Sequence, residues 1–208
     1  MGKLVLHENL TRRLFLRAAA LAGLGAITPI AAAENSVGTV DDVTGEANAE
    51  KAGQRRRLVR KSLVLLDDTV TTGAASRLRA LLAGKTTLRL GAGTKVRIDK
   101  FIVNSGGELM LGAGALLLDA PANRFREGLS VESPYALIAV RGTRFFAGLI
   151  DGTFGVFVER GTVNVTAGGK SVELKAGEGT DIAKPGDPPE LAKKWGAPKI
   201  AKAMALVQ

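Results

Sequence analysis

The chain reads as an all-β protein, a short β-solenoid or roll or else a β-sandwich, finished by a C-terminal helical tail. Three observations carry that reading. Between Val37 and Ile182, apolar and polar residues alternate in runs of about four to six. Glycine, asparagine or aspartate interrupts those runs roughly every 8–13 residues. No segment of the span keeps an apolar period of about 3.6 residues. About 10–14 short strands are expected from this spacing.

The elements follow in order. Leu63-Val64-Leu65-Leu66 stops at Asp67-Asp68, and Thr69-Val70-Thr71-Thr72 stops at Gly73. Arg77 to Leu81 ends at Ala83-Gly84-Lys85, and Thr87 to Leu90 ends at Gly91-Ala92-Gly93. Lys95 to Asp99, a turn at Asn104-Ser105-Gly106-Gly107, Glu108 to Leu111 and Ala115 to Leu118 continue the series. Neighbouring strand positions face opposite ways, so Leu78, Leu88, Leu90, Val96 and Ile98 are expected to stack in one apolar column. Arg77, Arg79, Arg89 and Arg97 then form a row outside it. Such a row is either a contact for an anionic partner or a solvated face whose like charges discourage edge pairing.

The ends differ from the middle. Thr11-Arg12-Arg13-Leu14-Phe15-Leu16-Arg17 precedes an apolar run, Ala18 to Ile30, which meets the small-residue triplet Ala31-Ala32-Ala33. That order predicts a twin-arginine-type signal peptide over residues 1–33. The run has 13 residues with Gly23, Gly25 and Pro29 inside it, whereas a spanning helix needs about 20. Export to a periplasm is expected, with an uncleaved anchor as the alternative. At the other end, Lys184-Pro185-Gly186-Asp187-Pro188-Pro189 breaks the β pattern, and 184–208 reads as a Pro-rich linker and amphipathic tail. Asp187 is the expected N-cap with Pro188 at the first helical position. From Glu190 on, Leu191, Trp195, Ile200, Met204 and Val207 fall roughly on one side, bent at Gly196-Ala197-Pro198. With Lys193, Lys194, Lys199 and Lys202, this tail either docks on a membrane or partner or folds back over an open end of the β-domain with Trp195 as its plug.

Composition narrows the chemistry. The only histidine, His7, lies in the expected signal, and there is no cysteine. The exported chain therefore lacks Ser-His-Asp and Cys-His nucleophiles, zinc sites with His or Cys ligands, lipoprotein attachment and disulfides. Asp67/Asp68 and Glu132/Asp151 are carboxylate pairs, but each reads as a turn or strand-edge feature. No catalytic residue, metal ligand or cofactor site is assigned. Removing Lys3, Arg12, Arg13, Arg17 and Glu8 from the chain's 29 basic and 20 acidic residues leaves a net charge of +6. That density does not call for a nucleic-acid partner.

The most specific stretch begins at Val131-Glu132-Ser133-Pro134-Tyr135-Ala136 and runs into Val140-Arg141-Gly142-Thr143-Arg144-Phe145. Val156 to Val165, expected to close a hairpin, carries Gly161, and Leu174-Lys175-Ala176-Gly177-Glu178 follows. Gly142 permits a positive φ, and a buried Arg141 is expected to satisfy loop carbonyls with its planar fork. Together these pieces resemble the FecR domain: a V-x-T-P … V-R-G-T-x-F core, then V-x-V-x-x-G-x-V-x-V, then L-x-A-G-E. Asp67 to Gly73 resembles the family's G-D-x-V-x-T-G opening, with Asp67 in the place of its glycine and Ser133 in the place of the threonine before proline. The resemblance covers roughly residues 36–183 and assigns structural roles to Pro134, Val140, Arg141, Gly142, Thr143, Phe145, Gly161 and Gly177. It implies an extracytoplasmic sensing or scaffolding domain of a signalling system. Lacking room for an anti-sigma segment before the signal or a receptor-contacting module after Pro189, the chain is expected to be a stand-alone exported version. The expected function is a non-catalytic periplasmic interaction module for a membrane-associated partner, with a binder of anionic glycan or lipid headgroups as the alternative. Arg77, Arg79, Arg89, Arg97 and Trp195 are the candidate interaction residues.

Overall fold

A computed structural model describes residues 35–102, 106–122 and 128–208. The expected signal peptide over 1–33 and the expected turn at Asn104-Ser105 lie outside the described residues. Among the described residues eighteen strands and one helix follow in chain order. They are β1 (Ser36–Thr44), β2 (Ala47–Lys51), β3 (Gln54–Arg57), β4 (Leu63–Leu65), β5 (Thr69–Thr72), β6 (Arg77–Leu82), β7 (Thr86–Leu90), β8 (Lys95–Ile102) and β9 (Gly106–Ala113). Then come β10 (Ala115–Asp119), β11 (Gly128–Glu132), β12 (Leu137–Val140), β13 (Arg144–Ile150), β14 (Thr153–Arg160), β15 (Thr162–Ala167), β16 (Lys170–Lys175), β17 (Glu178–Ile182), β18 (Lys193–Lys194) and helix α1 (Ala197–Val207). The sequence spacing undercounts the strands because corners such as Gly161 separate two strands without a loop.

The strands form two open nine-stranded sheets, ordered β4-β1-β6-β7-β10-β13-β14-β17-β18 and β3-β2-β5-β8-β9-β11-β12-β15-β16. The all-β reading holds. The chain advances from one edge to the other while changing sheets every one or two strands, so a two-layer sandwich grows with the progression of a roll. Pairing is antiparallel except between β9 and β11. The expected hairpin over Val156 to Val165 is not one. β14 and β15 belong to different sheets, and Gly161 turns the corner between them with φ 90°.

Period-2 alternation builds the core. Leu78, Leu88, Leu90, Leu116, Leu118, Phe145 and Val156 from the first sheet meet Val96, Ile98, Leu109, Val131, Ile138, Val163 and Leu174 from the second. Each such side chain, buried, contributes about 1.5–3 kcal/mol. Thr72 and Thr94 stitch the sheets at a corner: the Thr72 hydroxyl donates to Gly91 O at 2.6 Å and accepts from Thr94 N at 2.9 Å.

A second apolar cluster lies on the outside of the first sheet. Ala115, Leu117, Phe146, Ile150 and Phe157 point away from the core and are covered by Trp195, Ala203 and Val207. The tail therefore covers a face and not an open end. The expected helix from Glu190 starts only at Ala197, with Gly196 in the N-cap position and Pro198 in the first turn, where its missing N–H costs nothing. Asp187 caps no helix. Residues between Glu190 and Trp195 are drawn out because β18 pairs with β17, and Glu190 N donates to Asp181 O at 3.0 Å.

Candidate interaction surfaces

The motif around Arg141 forms a corner between the sheets. Ser133 fills the threonine's role: its hydroxyl accepts from Ala136 N (3.0 Å) and Tyr135 N (3.2 Å) and donates to Ala136 O (3.1 Å), fixing the turn that exposes Pro134. Tyr135 stacks on Phe154 with centroids 4.8 Å apart. Val140, Thr143 and Phe145 are buried. Gly142 takes φ 67°, and a Cβ there would collide with the Cα of Ala122. Gly177 closes the last motif, its N–H donating to Val158 O at 2.8 Å. At the motif's other end, Asp67 adopts φ 66°, the left-handed conformation that favours glycine, and Asp68 is buried against the guanidinium of Arg56. Asp68 also accepts from Leu65 N at 2.7 Å.

Arg141 departs from expectation. It is exposed, because Val140 takes the inward position and the corner turns outward one residue later. The partly buried guanidinium is Arg144, which donates to Glu159 (2.5 Å) and Asp119 (3.1 Å), while Arg160 reaches the other oxygen of Asp119 (2.7 Å). Burial works against the Arg144 charge, but hydrogen bonds and attraction from both carboxylates outweigh it and raise its pKa. The alternation of Arg144 with Phe145 was the available signal for its placement.

Arg141 borders an open trough of about 640 Å³ on the outer face of the second sheet. Lys100, Glu108, Ser130, Ala139 and Asn164 lie in one cross-strand row, with Gly128 and Thr162 beside Arg141. Small side chains in the middle and mixed donors and acceptors at the rim suit contact with a protein surface rather than enclosure of a substrate.

The expected arginine row splits. Arg79 and Arg89 stand opposite each other on β6 and β7, and Arg77 shares their face. Arg97 is on the other sheet, because the chain changes layers between β7 and β8, and it pairs with Asp99 at 2.7 Å. Arg79 pairs with Asp41 (2.7 Å), and Arg77 donates to Ala205 O near the end of α1 (3.0 Å), where a cation complements the helix dipole. Arg89 alone of the four has neither an ion pair nor a side-chain hydrogen bond among the described residues. Of the tail lysines, Lys193, Lys199 and Lys202 are likewise engaged. Lys199 reaches both oxygens of Asp181 at 2.6 Å and lies 4.2 Å from the Trp195 ring centre, and Lys202 pairs with Asp151 at 3.0 Å. Trp195 stacks on Phe157 over Gly155 and Gly179, where a side chain would displace the ring. Trp195 is thus a structural cover and not an exposed contact. Glu132 lies on β11 in the second sheet and Asp151 in the turn between β13 and β14 of the first, and among the described residues no group of three His, Cys, Asp or Glu could hold a metal. Sequence inspection missed the basic cluster Arg55, Arg56, Arg57, Arg60 and Lys61 on and after β3, although five cations in seven positions are a readable charge run.

These features define a two-sheet β-domain with a glycine-turned corner, a covered face and a bare one. Residues 68–164 of it match the FecR protein family. Two crystal structures of a candidate anti-sigma factor from Parabacteroides distasonis ATCC 8503, at 2.50 and 1.65 Å resolution, share the fold at TM-score 0.55 and 18% identity. The match covers 64% of this chain and 62% of each of those, so the chain spans about three fifths of their length. No curated protein matches the sequence significantly. Among the described residues no helix is long and apolar enough to cross a membrane.

Proposed function

We propose that this protein is an exported, non-catalytic sensing or scaffolding module that binds a membrane-associated signalling partner in the periplasm. The FecR match over residues 68–164 carries the reading. The fold shared with a candidate anti-sigma factor, and the Arg12-Arg13 pair followed by the apolar run Ala18 to Ile30, support it. The trough bordered by Arg141 is the contact surface, because the opposite face is occupied by the chain's own tail. No cofactor takes part.

Crosslinking in living cells, followed by purification and mass spectrometry, tests the proposal. A photo-crosslinking residue at Asn164 should capture one envelope signalling protein, and the same probe at Lys202 should not. Recovery of the chain with no protein attached from either position overturns it. The alternative of a glycan or headgroup binder using the arginine row is weakened by the engagement of Arg77, Arg79 and Arg97 within the fold.

A further inference from the structure

Several cations stand close together at the first edge of the fold. β3 is the free border of the second sheet, and residues 58–62 cross from it to β4, the free border of the first. Arg56 turns inward to Asp68. Arg55 lies 3.7 Å from Glu46, with both side chains 64% exposed, a contact that solvent and salt largely screen. Arg57, Arg60 and Lys61 have no ion-pair partner among the described residues.

The turn carrying two of these cations is rigid. Ser62 N donates to Val59 O, and the Ser62 hydroxyl accepts from Val59 N, both at 2.9 Å. Lys61 N donates to Val40 O at 2.8 Å, and Lys61 holds φ 71°, a conformation that a lysine adopts only under constraint. Val59 stands out beside them at 54% exposure, and Leu63 follows at 38%. Fixed cations flanked by exposed aliphatic side chains match the boundary between phospholipid headgroups and acyl chains. The chain also joins the fold here. Asn35 O accepts from Leu66 N at 2.9 Å, so the described chain enters the fold at this edge.

We propose that the edge formed by Arg55, Arg57, Arg60 and Lys61, with Val59 and Leu63, docks the domain on an anionic phospholipid surface. The site is separate from the trough, so membrane docking and partner capture fail independently.

Co-sedimentation of the full chain with phosphatidylglycerol and phosphatidylcholine vesicles tests it. Each cation at an anionic surface is worth roughly fivefold in affinity. The wild type should prefer phosphatidylglycerol, with the preference falling as salt rises. R55Q/R57Q/R60Q/K61Q should lose more than about tenfold of that preference, and R77Q/R79Q/R89Q should keep it. Lys61→Gly, which suits the positive φ and so preserves folding, should cost about fivefold by itself. Absence of any preference in the wild type overturns the proposal, as does equal loss in both arginine sets, which would reflect net charge alone. Retained preference with new aggregation in the edge variant also overturns it and assigns the charges to edge protection.

Discussion

The two outer faces of the sandwich carry similar strands and opposite fates. On the second sheet, β12 and β15 alternate strictly between buried and exposed positions, and their outward residues meet solvent. On the first sheet, four consecutive residues of β10, four of β13 and five of β14 are buried, because the tail lies across them. A strand buried on both sides reads as a continuous apolar run and not as alternation. Leu116-Leu117-Leu118, Phe145-Phe146-Ala147 and Val156-Phe157-Val158 therefore signal a cover before the cover is located. The comparison teaches which surface is available to others: one face is used internally, and the other is free.

The sharpest way to break this contrast is to lift the cover. Trp195→Ala should cost about 3–5 kcal/mol in urea unfolding, while Asn164→Ala on the bare face should stay within about 0.5 kcal/mol. Equal effects would mean that the strap does not hold in solution. Next in size is the corner that joins the faces. Gly142→Val combines a disfavoured φ with overlap on Ala122 and should cost about 2–4 kcal/mol by the same measurement. The clamp on the strap comes third. Asp181→Asn weakens the buried attachment of Lys199 and should cost about 1.5–3 kcal/mol, with little change on adding salt. Arg141→Ala should leave the melting curve within about 0.5 kcal/mol of the wild type yet lower crosslinking from the trough. Destabilisation there would return Arg141 to the interior. The smallest effect concerns Lys193, whose pKa is raised by its hydrogen bond to Glu190 against slight desolvation, with attraction from Glu190 and Asp181 adding to it. Its folded value lies above the ordinary 10.5, so its contribution is complete below that pH and fades as pH rises through the raised value. Melting temperatures of Lys193→Met and wild type should converge in that alkaline range.

Local chemistry made the strands, turns and core legible, since Leu78, Val96 and Val163 each obey the alternation that places them inside. It could not say which layer a strand joins. Parity puts Arg89 and Arg97 outside alike, but the crossing between β7 and β8 puts them on opposite sides of the molecule. The tail misled for a related reason. Asp187-Pro188 is good helix-opening chemistry, yet pairing with β17 and docking of Trp195 over Gly155 and Gly179 keep the chain extended until Gly196. At Arg141, a motif that marks a corner does not reveal which of its two arginines faces solvent. Asp67 shows the reverse case, where a residue other than glycine takes the left-handed backbone that glycine favours.

The strap has a consequence for biosynthesis. Arg77, from the sixth strand, is bonded to Ala205, and Val207 completes the cover begun by Trp195. The early strand pairs can assemble while later ones are still being translated, but Leu117, Phe146 and Phe157 remain bare until residues 195–207 have left the ribosome. Residues 195–207 thus act as a completeness check, and a chain halted before them carries an adhesive face that marks it as unfinished.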